Sequence, residues 1–328
     1  MPVDTFAHNP RTLLHIATDL RSRGVSPVEV FGLAGVSPSQ LLDPNGWVPR
    51  DICFALGEAA AIAVSDRFFA SRIGQTYGLT ALGVWGRTIV GAANVAEACE
   101  VAAKSVGLLH QGSSLRFLIG GSEAQLRLEY RGRIRANPRQ HLIGSLAILR
   151  KIALLANAPE AITVRFSMPS ARGVEDLEET HGYRLEFDCD YDAVVIDRAL
   201  LDAPVQGSRV NDATRDLDPP ETAEAVGASL KHLLPYGQAN IRTVAAQMQV
   251  STRTVQRRLR EWGFSFEEIL DDLRKAEAIR HARSGEHTAI EIAFLLGYSD
   301  PSHFTSAFRR WTGMAPREYS RTVRKHPI

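Results

Sequence analysis

One pattern occurs twice in the last third of the chain, and it limits the folds that are available there. The two copies are IRTVAAQMQVSTRTVQRRLREWGFSF, residues 241–266, and AIEIAFLLGYSDPSHFTSAFRRWTGMAP, residues 289–316. In each copy a short apolar helix with a central alanine, Ala245 or Ala293, precedes a tight turn and a second helix rich in arginine and small polar residues. This order predicts two tandem helix-turn-helix motifs. Gly297 supplies the second turn, whereas Gln249 stands at the same place in the first copy and departs from this pattern.

The second helix of the first copy should present a polar surface close to its start. Ser251 is predicted to cap it, and Val255, Leu259 and Trp262 fall on one face that should be buried. Arginine can pair with guanine and glutamine with adenine in the major groove of DNA. The predicted base-reading residues are Thr252, Arg253, Gln256 and Arg257.

In the second copy the aromatic residues are predicted to be core. Asp300 should cap the helix, while Phe304, Phe308 and Trp311 form a stripe at helical spacing. The candidate base contacts of this helix are small and come first: Pro301, Ser302, Thr305 and Ser306. Arginines farther along the two helices more often contact phosphates, which position a protein without reading sequence. The phosphate candidates are Arg260, Arg309 and Arg310.

The alternative for each arginine-bearing helix is an ordinary solvated face, and for a lone helix that alternative would be favoured. Two such helices in tandem favour a DNA-binding role instead. The distribution of charge is a weak indication of the same role. Residues 219–328 carry 16 Lys and Arg against 12 Asp and Glu, a net charge of +4, whereas the rest of the chain carries 22 Lys and Arg against 25 Asp and Glu. A basic segment suits a polyanionic partner.

The first 200 residues predict a separate α+β domain. Glycines at 74, 78, 83 and 86 indicate close packing or turns, because their spacing does not match a phosphate-binding loop. The predicted helices here are Arg11–Arg23, Pro27–Ala34, Pro49–Ser65, Asn94–Leu109 and residues 141–158. A hairpin is predicted around Gly120 and Gly121, with further strands at 161–169 and 192–201.

We therefore expect an α+β N-terminal regulatory domain, residues 1–202, a linker over 203–220, and an all-α DNA-binding domain over 221–324, with helix-turn-helix motifs at 241–262 and 289–312. The predicted helices of the last part are Glu221–Leu234, Ile241–Met248, Ser251–Trp262, Phe266–Arg283, Ala289–Leu296, Pro301–Trp311 and Pro316–Val323.

Two stretches of the last part, IAFLLGYSDPSHFTSAFRRWTGMAPREY and STRTVQRRLREWGFSFEEILDDLR, resemble the AraC/XylS family of bacterial transcription regulators. The resemblance covers about 100 residues, and its motifs are specific. It implies a seven-helix domain whose two recognition helices enter successive major grooves of double-stranded DNA. The connecting helix, Phe266–Arg283, would span about 27 Å at 1.5 Å per residue, comparable to one DNA turn of about 34 Å.

The N-terminal half more loosely resembles the arabinose-binding-like regulatory domain of some family members, in VSPVEVFGLAGVSPSQLLD, ITVRFSMP and VVIDRALLDAPV. This resemblance implies that the domain binds a small effector, which it does not name, and forms a homodimer. Activation is the commoner behaviour of the family, so we expect an activator with RNA polymerase as a further partner. The effector-binding residues stay unassigned. Trp47 and Trp85 could line a pocket, although buried core is favoured for each, and residues 131–139 could bind an anion, although a solvated loop is favoured.

Neither a catalytic motif nor a cofactor motif is apparent, so we expect no enzyme, no cofactor and no metal site. The three cysteines are widely spaced and form no zinc-ligand pattern. His303 lies on the second recognition helix, where a structural or DNA-facing role is favoured over catalysis. Without a signal-peptide pattern or a long apolar run, the protein should be soluble and cytoplasmic. Two alternatives remain: a metabolic enzyme with a helix-turn-helix appendage, and an architectural DNA binder without an effector.

Overall fold

The computed structural model of the chain describes residues 6–41, 46–170, 175–182, 184–205, 219–261 and 265–325. It divides into two compact units, Met1–Val36 with Asn45–Pro220, and Ser37–Pro44 with Glu221–Ile328. Residues 206–218, most of the predicted linker, lie outside the described residues. In the part of the chain that is described, no helix combines the length and apolar character that crossing a bilayer requires.

The chain before residue 206 combines helices with short strands. The helices are α1 (Leu14–Ser22), α2 (Pro27–Ala34), α3 (Pro38–Leu41), α4 (Arg50–Ala63), α5 (Phe69–Thr76), α6 (Val84–Val90), α7 (Val95–Ser105), α8 (Arg139–Ala153) and α9 (Glu175–His181). The strands are β1 (Ala7–His8), β2 (Val48–Pro49), β3 (Ser113–Gly120), β4 (Glu123–Tyr130), β5 (Ile162–Arg165), β6 (Leu185–Glu186) and β7 (Asp192–Asp197).

A five-stranded sheet in the order β3-β4-β7-β5-β6 forms the frame of the first unit. All neighbouring pairs are antiparallel except β5 and β6. The predicted hairpin is confirmed, with Gly120 paired to Glu123 at its end. The strand predicted over 192–201 is too long, because Asp197 accepts a hydrogen bond from the backbone N–H of Ala199 at 3.0 Å and starts a 3-10 turn over Arg198–Leu200.

The core of the first unit lies between this sheet and helices α7 and α8. Alternate residues of β4, such as Leu126, and apolar residues of α8, such as Ile143 and Leu146, are fully buried in it. Glycines let neighbouring segments approach closely: a Cβ on Gly74 would lie 2.8 Å from the Cβ of Ala147, and one on Gly86 would lie 1.6 Å from the carbonyl oxygen of Leu79. The predicted packing role of these glycines is confirmed.

The second unit is helical over its described C-terminal residues. Its helices are α10 (Pro219–Leu233), α11 (Ile241–Gln247), α12 (Thr252–Glu261), α13 (Phe266–Ser284), α14 (Ala289–Leu295), α15 (Pro301–Thr312) and α16 (Pro316–Lys325). Side-chain caps fix several of these starts: Ser265 with Glu268 and Thr288 with Glu291 both form capping boxes. The predicted fold class, an α+β domain followed by an all-α domain, is confirmed.

Candidate functional site

Two helix pairs, α11 with α12 and α14 with α15, form the repeated motif in the second unit. The alanines predicted at the helix crossings are buried, with Ala245 3% and Ala293 0% exposed. Ser251 accepts a hydrogen bond from the backbone N–H of Thr254 at 3.1 Å, and Asp300 accepts one from that of Ser302 at 2.7 Å. Both predicted caps are therefore present and fix where the second helix of each pair begins.

Both turns use the left-handed backbone conformation. Gly297 has a φ of +70°, which favours glycine, and a Cβ there would lie 3.1 Å from the Cα of Gly237, a tight contact. Gln249 has a φ of +55°. The first turn therefore has the same local geometry as the second, although its residue departs from the pattern.

Helix α12 separates a buried face from an exposed one as predicted. Val255 and Leu259 are fully buried, while Trp262 lies outside the described residues. Arg253, Gln256, Arg257 and Arg260 are exposed, and Thr252 is half-buried. Of the two consecutive arginines, Arg257 is exposed whereas Arg258 is buried. The helical period alone separates the two roles, because adjacent residues point about 100° apart.

Helix α15 has the same two-faced construction. Phe304 and Phe308 are fully buried with ring centroids 5.6 Å apart, and Trp311 packs at their edge. Ser302, Ser306 and Arg309 are exposed, whereas Pro301 and Thr305 are half-buried. The hydroxyl of Thr305 donates to the carbonyl of Pro301 at 2.9 Å, so its donor is already used within the helix.

The phosphate candidates differ in their surroundings. Arg309 is exposed. Arg260 is exposed as well, and its Nε donates to the carbonyl of Gln256 at 3.2 Å, so this hydrogen bond does not use its terminal nitrogens. Arg310 forms an ion pair with Asp271 of α13 at 2.6 Å. Sequence reasoning missed this pairing, because the two residues are 39 positions apart along the chain.

The first unit contains a largely apolar cavity of about 90 Å³. Residues from α1, α4, α5, α8 and the 3-10 turn over residues 10–13 enclose it, and Trp85, whose burial was predicted, lines it as well. The indole N–H of Trp85 donates to the carbonyl of Ala102 at 3.2 Å. Trp47, in contrast, is 38% exposed, so its predicted burial in the core is wrong. Position 47 comes just before the edge strand β2, where the side chain faces solvent.

The polar groups of the cavity include Gln140, His141, Ser145 and His110. The hydroxyl of Tyr130 lies 2.7 Å from Nδ1 of His141. Burial lowers the pKa of His110 to about 4, and burial, with the charge of Arg50 nearby, lowers the pKa of His141 well below its usual value. Both rings are therefore neutral at pH 7, and each offers one donor and one acceptor.

His8 lies beside these two histidines, and the three rings form a buried cluster. No local sequence pattern indicates this cluster, since residues 8, 110 and 141 are far apart along the chain. The expectation of no metal site rested on the absence of a local ligand pattern. A long-range cluster could have been found only from the strand pairing that joins its members.

Comparisons with known proteins agree with both parts of this arrangement. The arabinose-binding domain of AraC transcription regulators matches residues 24–205, and a helix-turn-helix domain matches residues 244–322. The chain belongs to the AraC family of transcription regulators. The predicted family is thereby confirmed, and the helix pairs α11–α12 and α14–α15 are the DNA-binding part of an AraC-type regulator.

Individual AraC-type relatives extend over different lengths of the chain. The Ornithine utilization regulator of Pseudomonas aeruginosa is 27% identical over 311 residues, which are 90% of this chain and 91% of that one. The transcriptional activator RhaS of Salmonella arizonae is 36% identical over 76 residues, 23% of this chain and 27% of that one. The solved structure of the transcriptional regulator CdpR from Pseudomonas aeruginosa is 20% identical with a TM-score of 0.39, covering 93% and 98% of the two chains.

Proposed function

We propose that this AraC-type regulator reads a specific DNA sequence through α12 and α15, activates transcription, and is controlled by a small molecule bound in the first unit. The observation that carries the DNA-reading part is the first two turns of α12. There Arg253, Gln256 and Arg257 are exposed on a helix whose opposite face, with Val255 and Leu259, is fully buried.

The two recognition helices would read DNA differently. Arg253, Gln256 and Arg257, with Thr252 beside them, offer the long donors that pair with guanine and adenine in the major groove, each good pair discriminating by roughly 1–3 kcal/mol. The exposed side chains at the start of α15 are small, so this helix could lie deep in the groove and contact bases through Ser302 and Ser306. Pro301 and Thr305 would then make apolar contacts.

Phosphate contacts would hold both helices in register. The exposed Arg260 and Arg309 suit that task, and Arg310 could join them if it leaves Asp271. The backbone N–H of Ser302 lowers the pKa of Asp300, so this carboxylate stays ionised and the arginines would have to outweigh its repulsion of phosphates.

The cavity suggests the chemistry of the effector. None of its described lining residues carries a carboxylate, ammonium or guanidinium group. A small, largely apolar molecule that hydrogen-bonds to Gln140, Ser145 or a histidine would therefore fit best. The name of the Pseudomonas aeruginosa relative refers to ornithine utilization. Ornithine carries two ammonium groups, for which this lining offers no counter-charge, so we do not assign ornithine to this chain.

Effector binding would shift an equilibrium between two arrangements of the regulator. The size of this shift is limited by the difference between the effector's affinities for the two arrangements. Activation is supported by the name of the related activator RhaS. We also propose that the chain acts as a homodimer and contacts RNA polymerase, as the AraC family resemblance implies.

The proposed function can be tested by DNA capture. The purified full chain is mixed with fragmented genomic DNA of its source at moderate salt, and the retained DNA is sequenced. A few sharp peaks are expected, and a reporter gene joined to one of them should be expressed more strongly when the protein is present. A flat profile with and without candidate effectors would instead indicate an architectural DNA binder.

A further inference from the structure

Three histidines from separate parts of the first unit meet in one place. His8 lies in β1, His110 follows the turn after α7, and His141 lies in the first turn of α8. One ring nitrogen from each lies within 4.8 Å of the others, and the ring centroids are 4.3, 4.5 and 4.6 Å apart. Such mutual proximity places three potential ligand atoms around one point.

The backbone holds two of the three rings in place. His8 and His110 form an isolated antiparallel bridge. On either side of it, the N–H of Asn9 donates to the carbonyl of Leu109 at 2.7 Å, and the N–H of Gln111 donates to that of Ala7 at 2.8 Å. The cluster is therefore built into the fold.

Four ring nitrogens of the cluster are buried and have no hydrogen-bond partner among the described residues. His8 is fully buried, and within the described part of the chain neither its Nδ1 nor its Nε2 has a hydrogen-bond partner. The Nε2 atoms of His110 and His141 are likewise buried and unpaired among the described residues. Leaving one such group unsatisfied costs about 1–3 kcal/mol, and native proteins rarely do so. Several unpaired nitrogens that converge indicate a ligand that they share.

The surroundings of His141 resemble those of a metal ligand. Its Nδ1 lies 2.7 Å from the hydroxyl of Tyr130 and 3.4 Å from that of Ser145, so Nε2 is the nitrogen left for a ligand. Metal-bound histidines commonly donate their second ring N–H to an oxygen in this way, which fixes the tautomer and the ring orientation. Tyr130 would thus be a positioning residue.

Arg50 is a charged group close to His8 and His141, and its positive charge would weaken binding of a cation. Its terminal nitrogens donate to the carbonyls of Gly112, Arg131 and Arg133 at 3.2, 2.7 and 3.1 Å, whereas its Nε is buried without a partner among the described residues. A cation that gains little from imidazole, such as Mg²⁺ or Ca²⁺, would not overcome this repulsion. A transition metal ion, for which imidazole is a strong ligand, would do so more readily.

We propose that His8, His110 and His141 bind one divalent transition metal ion, Zn²⁺ before others, with a fourth coordination position open to the cavity of the first unit. His110 and His141 line that cavity, so a water or a ligand atom could reach the ion from it. At Zn–N distances of about 2.05 Å, tetrahedral geometry separates ligand nitrogens by about 3.3 Å. Starting from separations of up to 4.8 Å, the three ligand nitrogens would therefore need to approach one another by up to about 1.5 Å, through reorientation of the rings.

The test uses the full chain after removal of metal by a chelator. Equilibrium dialysis against Zn²⁺ with elemental analysis should find one equivalent bound, and Co²⁺ should give the visible absorption of a tetrahedral site. His8→Gln and His141→Gln should each abolish both signals. His181→Gln is the matched control, because His181 is also buried in this unit but hydrogen-bonds through both ring nitrogens. It should keep full stoichiometry.

Tyr130→Phe should keep the fold of the cluster, so it tests the site even if the histidine variants misfold. It should weaken Zn²⁺ affinity by about 10-fold or more while the stoichiometry stays at one. The proposal would be overturned if the wild-type chain bound no equivalent of Zn²⁺ or Co²⁺, or if His8→Gln bound them as tightly as wild type. The proposal would also be overturned if small carboxylates raised the melting temperature of the protein and metal ions did not, because the cluster would then be an anion site.

Discussion

Arg310 of the second recognition helix is held by Asp271 of the connecting helix α13, through hydrogen bonds of 2.6 and 2.9 Å to the two carboxylate oxygens. The indole N–H of Trp311 donates to the same carboxylate at 3.0 Å. One acidic residue of α13 thereby fixes the C-terminal part of α15. This ion pair distinguishes Arg310 from its neighbour Arg309, although sequence spacing alone predicts the same role for both.

The two arginines should therefore contribute unequally to DNA binding. Arg309→Ala should lower the slope of log affinity against log salt by about 0.9, the value for one lost phosphate contact, whereas Arg310→Ala should change it less. Affinity titrations of full chain and DNA at several salt concentrations measure both slopes. Asp271→Asn serves as the comparison and should bring the contribution of Arg310 closer to that of Arg309. Equal slope changes for the two alanine variants would show that the ion pair does not restrain Arg310.

The turns of the two helix pairs should respond in opposite directions to substitution. Gln249→Gly should raise the unfolding free energy of the second unit by up to about 1 kcal/mol, because glycine adopts the left-handed conformation without a Cβ penalty. Gly297→Ala should lower it by more than that, since the added Cβ would also crowd Gly237. Denaturant unfolding followed by far-UV circular dichroism measures both. If Gln249→Gly lowered the unfolding free energy, the contacts of the glutamine side chain would stabilise the unit by more than its left-handed conformation costs.

Acid should destabilise the first unit through His181. Its Nε2–H donates to the carbonyl of Ile143 at 3.1 Å, while Nδ1 lies 3.0 Å from the hydroxyl of Ser71. Burial lowers the pKa of His181 to about 4, below the unfolded value of about 6.5. The unfolded chain therefore binds more protons between these values, so the contribution is complete above pH 6.5 and is lost as the pH falls to 4.

This loss can be isolated by comparing pH profiles of stability. The wild-type chain should lose up to about 3 kcal/mol more unfolding free energy than His181→Gln between pH 7 and pH 4. His232→Gln on α10, an exposed position, should follow the wild-type profile. Denaturant titrations at intervals of pH give the profiles. Parallel curves for wild type and His181→Gln would rule out this histidine as a source of acid sensitivity.

Two leucines one helical turn apart on α8 test the cavity. Leu149 lines it, whereas Leu146 is fully buried in the core of the first unit. Leu149→Phe should be tolerated, with little change in melting temperature, because the larger ring can enter the empty space. Leu146→Phe should cost about 1–3 kcal/mol through overpacking. Thermal unfolding of both variants measures this difference. Equal destabilisation would argue that no usable space lies beside Leu149.

Much of the second unit could be predicted from sequence, because its signals are local. Ser251 and Asp300 cap their helices, and the spacing of Phe304 and Phe308 marks the buried face, all within a few residues of chain. The ion pair of Arg310 with Asp271 depends instead on how two helices pack. Local pattern contains no information about such a contact.

The first unit shows the same limit more strongly. The hairpin of β3 and β4 follows from alternation on both sides of Gly120. The strands β1 and β2 have only two residues each, too few for any periodicity, and they were not predicted. Yet β1 carries His8 to His110, so the histidine cluster depends on an element that sequence reasoning could not detect.

Two arginine variants, each measured on two DNAs, test most directly whether α12 reads bases. Arg257→Ala removes an exposed arginine from the recognition helix, and Arg283→Ala removes an exposed arginine from the end of α13. Affinities of each full chain for its captured DNA and for random DNA are measured at one salt concentration. Arg257→Ala should weaken binding to the captured sequence by roughly 1–3 kcal/mol and binding to random DNA much less, while Arg283→Ala should leave their ratio unchanged. Equal losses of Arg257→Ala on both DNAs would contradict base reading by this residue and reduce its role to charge.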